Sequence, residues 1–330
     1  MGVGGAFVVT PALNILGFPM PYAIGTDLTH VMGKSIVATL RHNLLGNIDF
    51  RMGLLMVLGT LPGVEVGKRL ILYLEGTGNV ENVVRLVYIP FLVILASAVI
   101  WDERRHIRQE RSAGHNSPRP ARPGWLQFLK LPPLVSFPRS HIPRLSLWGI
   151  VGVGFLAGML SAFLGVGAGF FRMAAMIYLL GMPTLVAVGT DLFEIIISAG
   201  FGGFTYAMAG RVDPVAALIM LVGASAGAEI GALAAVSAGS HRIRLYLALL
   251  HLGAAASVAL KQASVAWDIA GLEDLAFYLL IGVATAMCAI ILAPFLARRW
   301  RWGWKKEPEH PLELPQRGFD GVVGSERREK

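Results

Sequence analysis

Ten apolar stretches follow one another along the chain, and each is long enough to cross a lipid bilayer. A transmembrane helix needs about 20 mostly apolar residues, with a working range of about 17–25. Only 15% of the 330 residues are charged, against about 25% in soluble domains. We therefore predict an all-α polytopic membrane protein, not a soluble enzyme or a nucleic-acid-binding domain. The stretches lie at residues 3–19, 24–40, 52–72, 83–101, 145–163, 165–181, 186–209, 214–237, 243–261 and 275–297.

Positive charge is concentrated in two polar segments, 102–144 and 298–330. The many prolines of the first segment argue against a packed domain there. Lys and Arg accumulate on the cytoplasmic side of membrane proteins, so we predict that both segments are cytoplasmic. Contact with anionic lipid is a second interpretation, and nucleic acid is not an expected partner. The sequence predicts no cofactor and no metal site, because His and Cys lack the spacing of ligands.

The chain contains an internal duplication, which sets its predicted organisation. The predicted units are repeat 1 at 1–101, a polar loop at 102–144, repeat 2 at 145–261, an outer loop with an extra helix at 262–297, and a tail at 298–330. Four pairs of segments carry the duplication: Gly17–Leu28 with Gly181–Leu192, Gly46–Asp49 with Gly210–Asp213, Gly59–Gly67 with Gly223–Gly231, and Gly2–Phe7 with Gly165–Phe170.

The distribution of Lys and Arg gives the two copies opposite orientations. It places the turn at Gly46 inside and its copy at Gly210 outside, which predicts inverted-topology repeats like those of secondary transporters. Inversion requires an odd number of spans in each copy, but we count five in the second copy and four in the first. We therefore expect that the first helix of repeat 1 is either encoded upstream of Met1 or lost.

The duplicated motifs resemble those of the sulfite exporter TauE/SafE family of bacterial membrane proteins. The resemblance covers residues 1–101 and 145–297, and the second copy departs from it where Ala174 replaces the counterpart of Pro11. It implies an inner-membrane permease that exports sulfite, sulfoacetate or another organosulfur anion. Coupling to protons would suit such an exporter. The motifs are the glycine-rich block before Phe7 and Pro11, the block Ala23–Thr26, and the block from Gly46 to Gly67.

The glycine-rich blocks are candidate substrate-binding elements. Backbone without side chains can unwind there and offer N–H groups to an anion. Close helix packing through small residues is the alternative. The candidate glycines are Gly4, Gly5, Gly167 and Gly169.

Charged residues at helical spacing form a second set of candidates for substrate binding and ion coupling. Asp27, His30 and Lys34 share one predicted helix face, and Asp191 and Glu194 occupy the equivalent face of the second copy. We hypothesise that Lys34 and His30 meet Asp191 or Glu194 in a proton relay or a charge-balanced binding site. The alternative is a solvated helix end.

Threonines next to these aspartates are predicted to cap helices. Thr26 and Thr190 each precede an aspartate at the start of an apolar run, where Thr is a common N-cap. A histidine elsewhere, His251, is predicted to be a packed core residue and not a ligand.

Three further charged residues lie within apolar runs. Arg172 could bind an oxyanion through its planar fork, or could extend to the membrane interface. Glu65 and Glu229 could line the pathway and carry a proton, or could reach a lipid headgroup. The chain is thus predicted to be a transporter of a small anion, with a membrane-embedded enzyme and a non-transporting scaffold as rivals.

Overall fold

The computed structural model describes residues 6–44, 46–112, 124–128, 131–140, 142–165, 167, 169–238, 240–269 and 271–302. This part of the chain is almost entirely helical. Its helices are α1 (Ala6–Ile15), α2 (Met20–Leu44), α3 (Phe50–Gly76), α4 (Val80–Ser112), α5 (Leu147–Leu164), α6 (Gly169–Ala174), α7 (Thr184–Met208), α8 (Pro214–Ala238), α9 (Ser240–Trp267) and α10 (Leu272–Trp302). The other regular elements are a 3-10 turn (Trp125–Phe128), a π-helical turn (Ala175–Leu179), and the antiparallel strands β1 (Leu134–Phe137) and β2 (Ile142–Ser146).

Five helices among the described residues are long and apolar enough to cross a membrane. Helices α2 and α3 also reach 25 and 27 residues, although both carry charged side chains. The helix content and these lengths confirm the predicted all-α polytopic fold. The five segments are Val80–Trp101, Leu147–Leu164, Thr184–Met208, Ala248–Trp267 and Leu272–Ala293.

The second glycine-rich segment interrupts the helical chain. Gly165 and Gly167 have φ angles of +73° and +66°, a left-handed conformation that glycine adopts at little cost, and they separate α5 from α6. Helix α6 and its π-helical turn together run only from Gly169 to Leu179, roughly half the thickness of the bilayer core. The prediction of a full span at 165–181 is therefore wrong. The predicted span at 3–19 begins outside the described residues, and within them helix α1 ends at Ile15.

Helices α2 and α7 are counterparts in the duplication, and they pack antiparallel against each other. A Cβ atom on Gly203 would lie 2.7 Å from the Thr29 hydroxyl, and one on Gly200 would lie 3.3 Å from the Met32 sulfur. Residue numbers thus rise along α2 as they fall along α7. Small residues at such contacts let two helices approach closely.

Glycines of α3 bring α5 against its backbone. A Cβ atom on Gly59, Gly63 or Gly67 would lie 2.0, 2.1 or 2.5 Å from a backbone oxygen of α5. A Cβ atom on either of the equivalent glycines of α8, Gly223 and Gly227, would have no atom within 4 Å. One glycine stripe is therefore covered by a helix, while the described part of its copy is open.

The described part of the polar linker contains regular structure that packs beside the bundle. Helix α4 continues into it, and β1 and β2 form a hairpin beside the start of α3. Ser140 Oγ donates to Asp49 Oδ2 at 2.6 Å, and the Arg139 guanidinium donates to the Gly46 carbonyl at 2.9 and 3.1 Å. Proline content concealed the few apolar residues that suffice for packing. The buried ones are Phe137, Ile142 and Leu145.

Thr26 and Thr190 are not helix caps, because α2 and α7 each begin six residues earlier. The helices start next to Pro19 and Pro183, ahead of the apolar runs on which the cap prediction depended. Inside the helices the two hydroxyls have a different role. Thr190 accepts a hydrogen bond from the Asp49 backbone N–H at 2.9 Å, and Thr26 accepts one from the Asp213 backbone N–H at 3.0 Å.

The glycines beside these threonines allow the same contacts to form. A Cβ atom on Gly189 would lie 2.1 Å from the Asn47 carbonyl oxygen, and one on Gly25 would lie 2.2 Å from the Arg211 carbonyl oxygen. The two copies therefore make equivalent contacts at opposite ends of the bundle. We call these the linker end, which carries the hairpin, and the α3–α4 end, where Arg211 Nε donates to Glu75 at 2.9 Å.

Candidate functional site

A fully buried arginine lies between two carboxylates beside α7. Arg172 Nε donates to Asp191 Oδ1 at 2.5 Å, and its Nη1 forms an ion pair with Glu194. Ser198 Oγ donates to Glu194 Oε2 at 3.1 Å. Helical spacing puts the two acids and the serine on one face of α7, and the bend before α6 directs Arg172 towards that face. We call these four residues the α7 cluster.

The charges of the α7 cluster do not cancel, because one guanidinium faces two carboxylates. Oδ2 of Asp191 and Oε1 of Glu194 are buried and have no hydrogen-bond partner among the described residues. A buried carboxylate oxygen without a donor is costly, and a proton or another donor relieves that cost. The arrangement therefore suits a site that takes up a proton.

Arg172 does not extend to the membrane interface, so that alternative is wrong. Arg172 is 0% exposed, because the carboxylates of Asp191 and Glu194 hold its guanidinium in the interior of the bundle. Arg172 Nη2 also lies 3.4 Å from the carbonyl oxygen of Gly167. An anion could reach the fork of Arg172 only by displacing one of these acceptors.

A second buried cluster surrounds the equivalent aspartate of α2. Thr10 Oγ1 donates to Asp27 Oδ2 at 2.8 Å, and His30 Nδ1 lies 3.1 Å from Asp27 Oδ1. His30 Nε2 is buried and has no hydrogen-bond partner in the described part of the chain. We call Thr10, Asp27, His30 and the half-buried Lys34 the α2 cluster.

The two clusters are not paired as the sequence suggested. His30 contacts Asp27 on its own helix, and Arg172 pairs with both Asp191 and Glu194, so the hypothesis that His30 meets either of those acids is wrong. Met32 of α2 lies against Gly200 of α7, so the antiparallel packing places Lys34 beside Ser198. Ser198 occupies the position in the second copy that is equivalent to Lys34. The clusters thus lie on either side of the point where α2 crosses α7.

The other predicted site residues are dispersed. Gly169 is the first residue of α6. Glu65 is paired with Lys68 and Arg69 on the surface of α3, each at 2.7 Å, and it belongs to neither cluster. Gly4, Gly5 and the side chain of Glu229 lie outside the described residues. His251 is buried on α9, as predicted for a core residue.

Sequence reasoning missed two buried cations at the α3–α4 end. Arg85 pairs with Glu81 one turn earlier on α4, and Lys261 of α9 pairs with Glu273 of α10. The spacing of Glu81 and Arg85 is typical of a helical ion pair and could have revealed the first. No local pattern brings α9 and α10 together in this way.

Among the described residues, no group of three His, Cys, Asp or Glu side chains could hold a metal ion. The clusters offer protonatable groups and one buried guanidinium.

Comparison with known proteins identifies the family. The model of the family described as "Sulfite exporter TauE/SafE" matches residues 1–258. The chain belongs to the sulfite exporter TauE/SafE family. No solved structure matches it. This TauE/SafE protein is thus a multi-pass membrane protein, and its family indicates a membrane transporter.

Several curated proteins are similar to this TauE/SafE chain along most of their length. "Probable membrane transporter protein YunE" of Bacillus subtilis is 24% identical over 240 residues, which cover 70% of this chain and 81% of the relative. YjnA of the same organism, with the same description, is 27% identical over 235 residues, covering 70% and 82%. A "Probable membrane transporter protein" of Xylella fastidiosa strain 9a5c is 25% identical over 254 residues, covering 76% and 85%. Their names agree with a transport function.

Proposed function

We propose that this chain is a secondary transporter that exports a small anion, such as sulfite or an organosulfonate, together with a proton. The observation that carries the proposal is Arg172, buried between Asp191 and Glu194 beside the central crossing of two helices. A guanidinium presents a planar fork that matches an oxyanion, and the adjacent carboxylates are groups that a proton can neutralise.

The proposed coupling is an exchange of partners at Arg172. When Glu194 or Asp191 takes up a proton, it no longer attracts the guanidinium as a charge, and an anionic substrate can occupy the vacated side of the fork. When the anion leaves, the carboxylate loses its proton and pairs with Arg172 again. One proton then travels with each monovalent anion, so that step is electroneutral. Export proceeds when the outward gradient of the anion exceeds any opposing gradient of protons.

The proposed movement is alternating access between two inverted repeats. Three observations support it: the counterpart helices α2 and α7 pack antiparallel, the copies exchange equivalent threonine contacts, and each copy has a buried aspartate near the crossing. In transporters with inverted repeats, substrate sites lie at the repeat interface and are formed by discontinuous helices. The break at Gly165 and Gly167 is such a discontinuity beside the α7 cluster.

Efflux from proteoliposomes tests the proposal. Vesicles containing the full chain and loaded with radiolabelled sulfite or sulfoacetate should release the anion, and a pH-sensitive dye should report protons leaving with it. A protonophore together with valinomycin and equal K⁺ on both sides, which lets protons re-enter without a build-up of charge, should abolish the pH change without stopping efflux. Absence of efflux of both anions from vesicles containing folded protein would contradict the proposal and favour a scaffold. Efflux without proton movement would refute the coupling.

Two variants of the α7 cluster sharpen this test. Arg172→Lys keeps the positive charge but loses the fork, so efflux should fall by at least tenfold. Glu194→Gln imitates the protonated acid, so anion exchange should persist while proton movement is lost. Ser198→Ala, within the same cluster, separates hydrogen bonding from charge, because it removes the contacts of Ser198 with Glu194 and Arg172 and leaves every charge in place. Size-exclusion chromatography establishes that each variant is folded. Undiminished efflux in folded Arg172→Lys protein would refute the role of Arg172.

A further inference from the structure

A pocket at the α3–α4 end of the bundle lies apart from the α7 cluster. Helices α1, α4 and α9 line it, and the start of α2 closes one side. The cavity volume is about 10 Å³, room for about one water molecule, so a larger ligand must displace a side chain of the wall. The polar residues of the lining are Thr10, Asn14, Arg85, Tyr88 and Lys261.

Arg85 brings an unsatisfied donor to this pocket. The residue is 6% exposed; its Nε donates to Asn14 Oδ1 at 3.2 Å, and its Nη2 donates to Glu81 Oε2 at 2.8 Å. The remaining nitrogen, Nη1, is buried and has no hydrogen-bond partner among the described residues. A buried N–H group of a charged side chain without an acceptor is costly, so an oxygen acceptor at this position would be bound favourably.

Lys261 adds a second cation from the opposite wall. It is 8% exposed, whereas the side chain of its partner Glu273 is 54% exposed. The partner of Arg85 is likewise more exposed, since the side chain of Glu81 is 32% exposed. In both pairs the cation lines the pocket and the acid is the more exposed partner, although the Glu81 carboxylate also accepts from Asn14 Nδ2 and from the Met20 backbone N–H at the pocket wall. Ion pairs with one exposed member contribute little, which lets Lys261 exchange Glu273 for another anion.

The pocket adjoins the α2 cluster through Thr10. This residue lines the pocket, and its hydroxyl donates to Asp27 Oδ2 at 2.8 Å. We propose that the pocket between Arg85 and Lys261 is a second binding site for a small oxyanion, reached from the α3–α4 end and adjacent to the α2 cluster. This inference rests on the proposed function, because it places the site on the same anion pathway.

Titration of the full chain in detergent micelles with sodium sulfite and sodium methanesulfonate tests the proposal. Binding is measured in the Arg172→Lys background, in which the site at the α7 cluster is expected to be lost. Lys261→Gln should weaken the remaining binding by about tenfold or more, the loss expected for one hydrogen bond between charged groups. Glu273→Gln should tighten binding several-fold, because it frees Lys261. A purely structural role for the Lys261–Glu273 pair would make both variants weaker.

A matched control is available at the same end of the bundle. Arg211 is also paired with an acid, Glu75, but it does not line the pocket, so Arg211→Gln should bind the anions as the background protein does. Arg85→Lys keeps the charge and removes the Nη1 donor, and it should also weaken binding. Unchanged binding in Lys261→Gln and Arg85→Lys, or weaker binding in Glu273→Gln, would overturn the second site. Transport by the otherwise unmodified protein would then still support the proposed function, whereas its failure to transport or bind either anion would remove both.

Discussion

Replacing Gly63 with alanine tests whether the glycines of α3 hold α5 in place. The new Cβ would lie 2.1 Å from the Phe155 carbonyl oxygen, and ordinary contact begins at 3.4 Å. Helix α5 must therefore move outward along this contact, and a gap of about 0.5–1 Å already forfeits a quarter to a half of the local dispersion energy. Overpacking of this kind costs about 1–3 kcal/mol. That free energy corresponds to roughly a 5- to 150-fold loss in the ratio of folded to unfolded protein.

The equivalent position of α8 supplies the control. Gly227→Ala places its Cβ where no atom lies within 4 Å, so stability should be unchanged or raised by up to about 1 kcal/mol through the higher helix propensity of alanine. Thermal unfolding in detergent, followed by fluorescence-detected size exclusion, measures both variants. In chains of 150–250 residues, a loss of 1 kcal/mol in the free energy of unfolding lowers the melting temperature by about 2–4 °C. The Gly63→Ala protein should therefore melt several degrees below the unmodified protein. Equal melting temperatures for the two variants would refute the assignment of the covered and open stripes.

Four further substitutions test contacts elsewhere in the fold. Thr190→Val and Thr26→Val each leave a backbone N–H without its acceptor, so each should cost about 1–3 kcal/mol in denaturant unfolding; a large difference between the two would contradict their equivalence. Tyr206→Phe removes the hydrogen bond to the Ala162 carbonyl at 2.8 Å, so it should lower stability by about 0.5–1.5 kcal/mol in the same assay, and no change would show that this bond contributes nothing. Glu75→Gln should cost less than about 1 kcal/mol, because its pair with Arg211 is part-exposed. The hydrogen bond that Arg211 donates to Glu75 raises the pKa of Arg211 above its usual range, so Arg211 stays charged and this small contribution should be constant from pH 7 to 9; a strong pH dependence of the Glu75→Gln effect in that range would contradict it.

The sequence predicted the helical membrane fold because length and hydropathy determine which segments can cross a bilayer. It also placed Asp191 and Glu194 on one helix face, since helical periodicity is a local property. It did not predict that Arg172 pairs with both acids, because that contact depends on the direction the chain takes after Gly165 and Gly167. Periodicity cannot reveal such a bend.

The pocket at the α3–α4 end was missed for a related reason. Arg85 and Lys261 come from helices far apart in sequence, and each resembles an ordinary charged residue near a helix end. Only the packing of α4 and α9 beside α1 brings them to one cavity. The hairpin at 134–146 was missed because its burial depends on the exposed start of α3 as a partner.

The attachment of the hairpin to α3 has a consequence for the order of synthesis. Residues 1–101 leave the ribosome before the hairpin, and Leu147, the first residue of α5, follows directly after β2. The bonds from Ser140 to Asp49 and from Arg139 to Gly46 would thus fix the starting point of the second half before it is made. A hairpin that forms on α3 at this stage would set where α5 begins relative to the glycine face of α3.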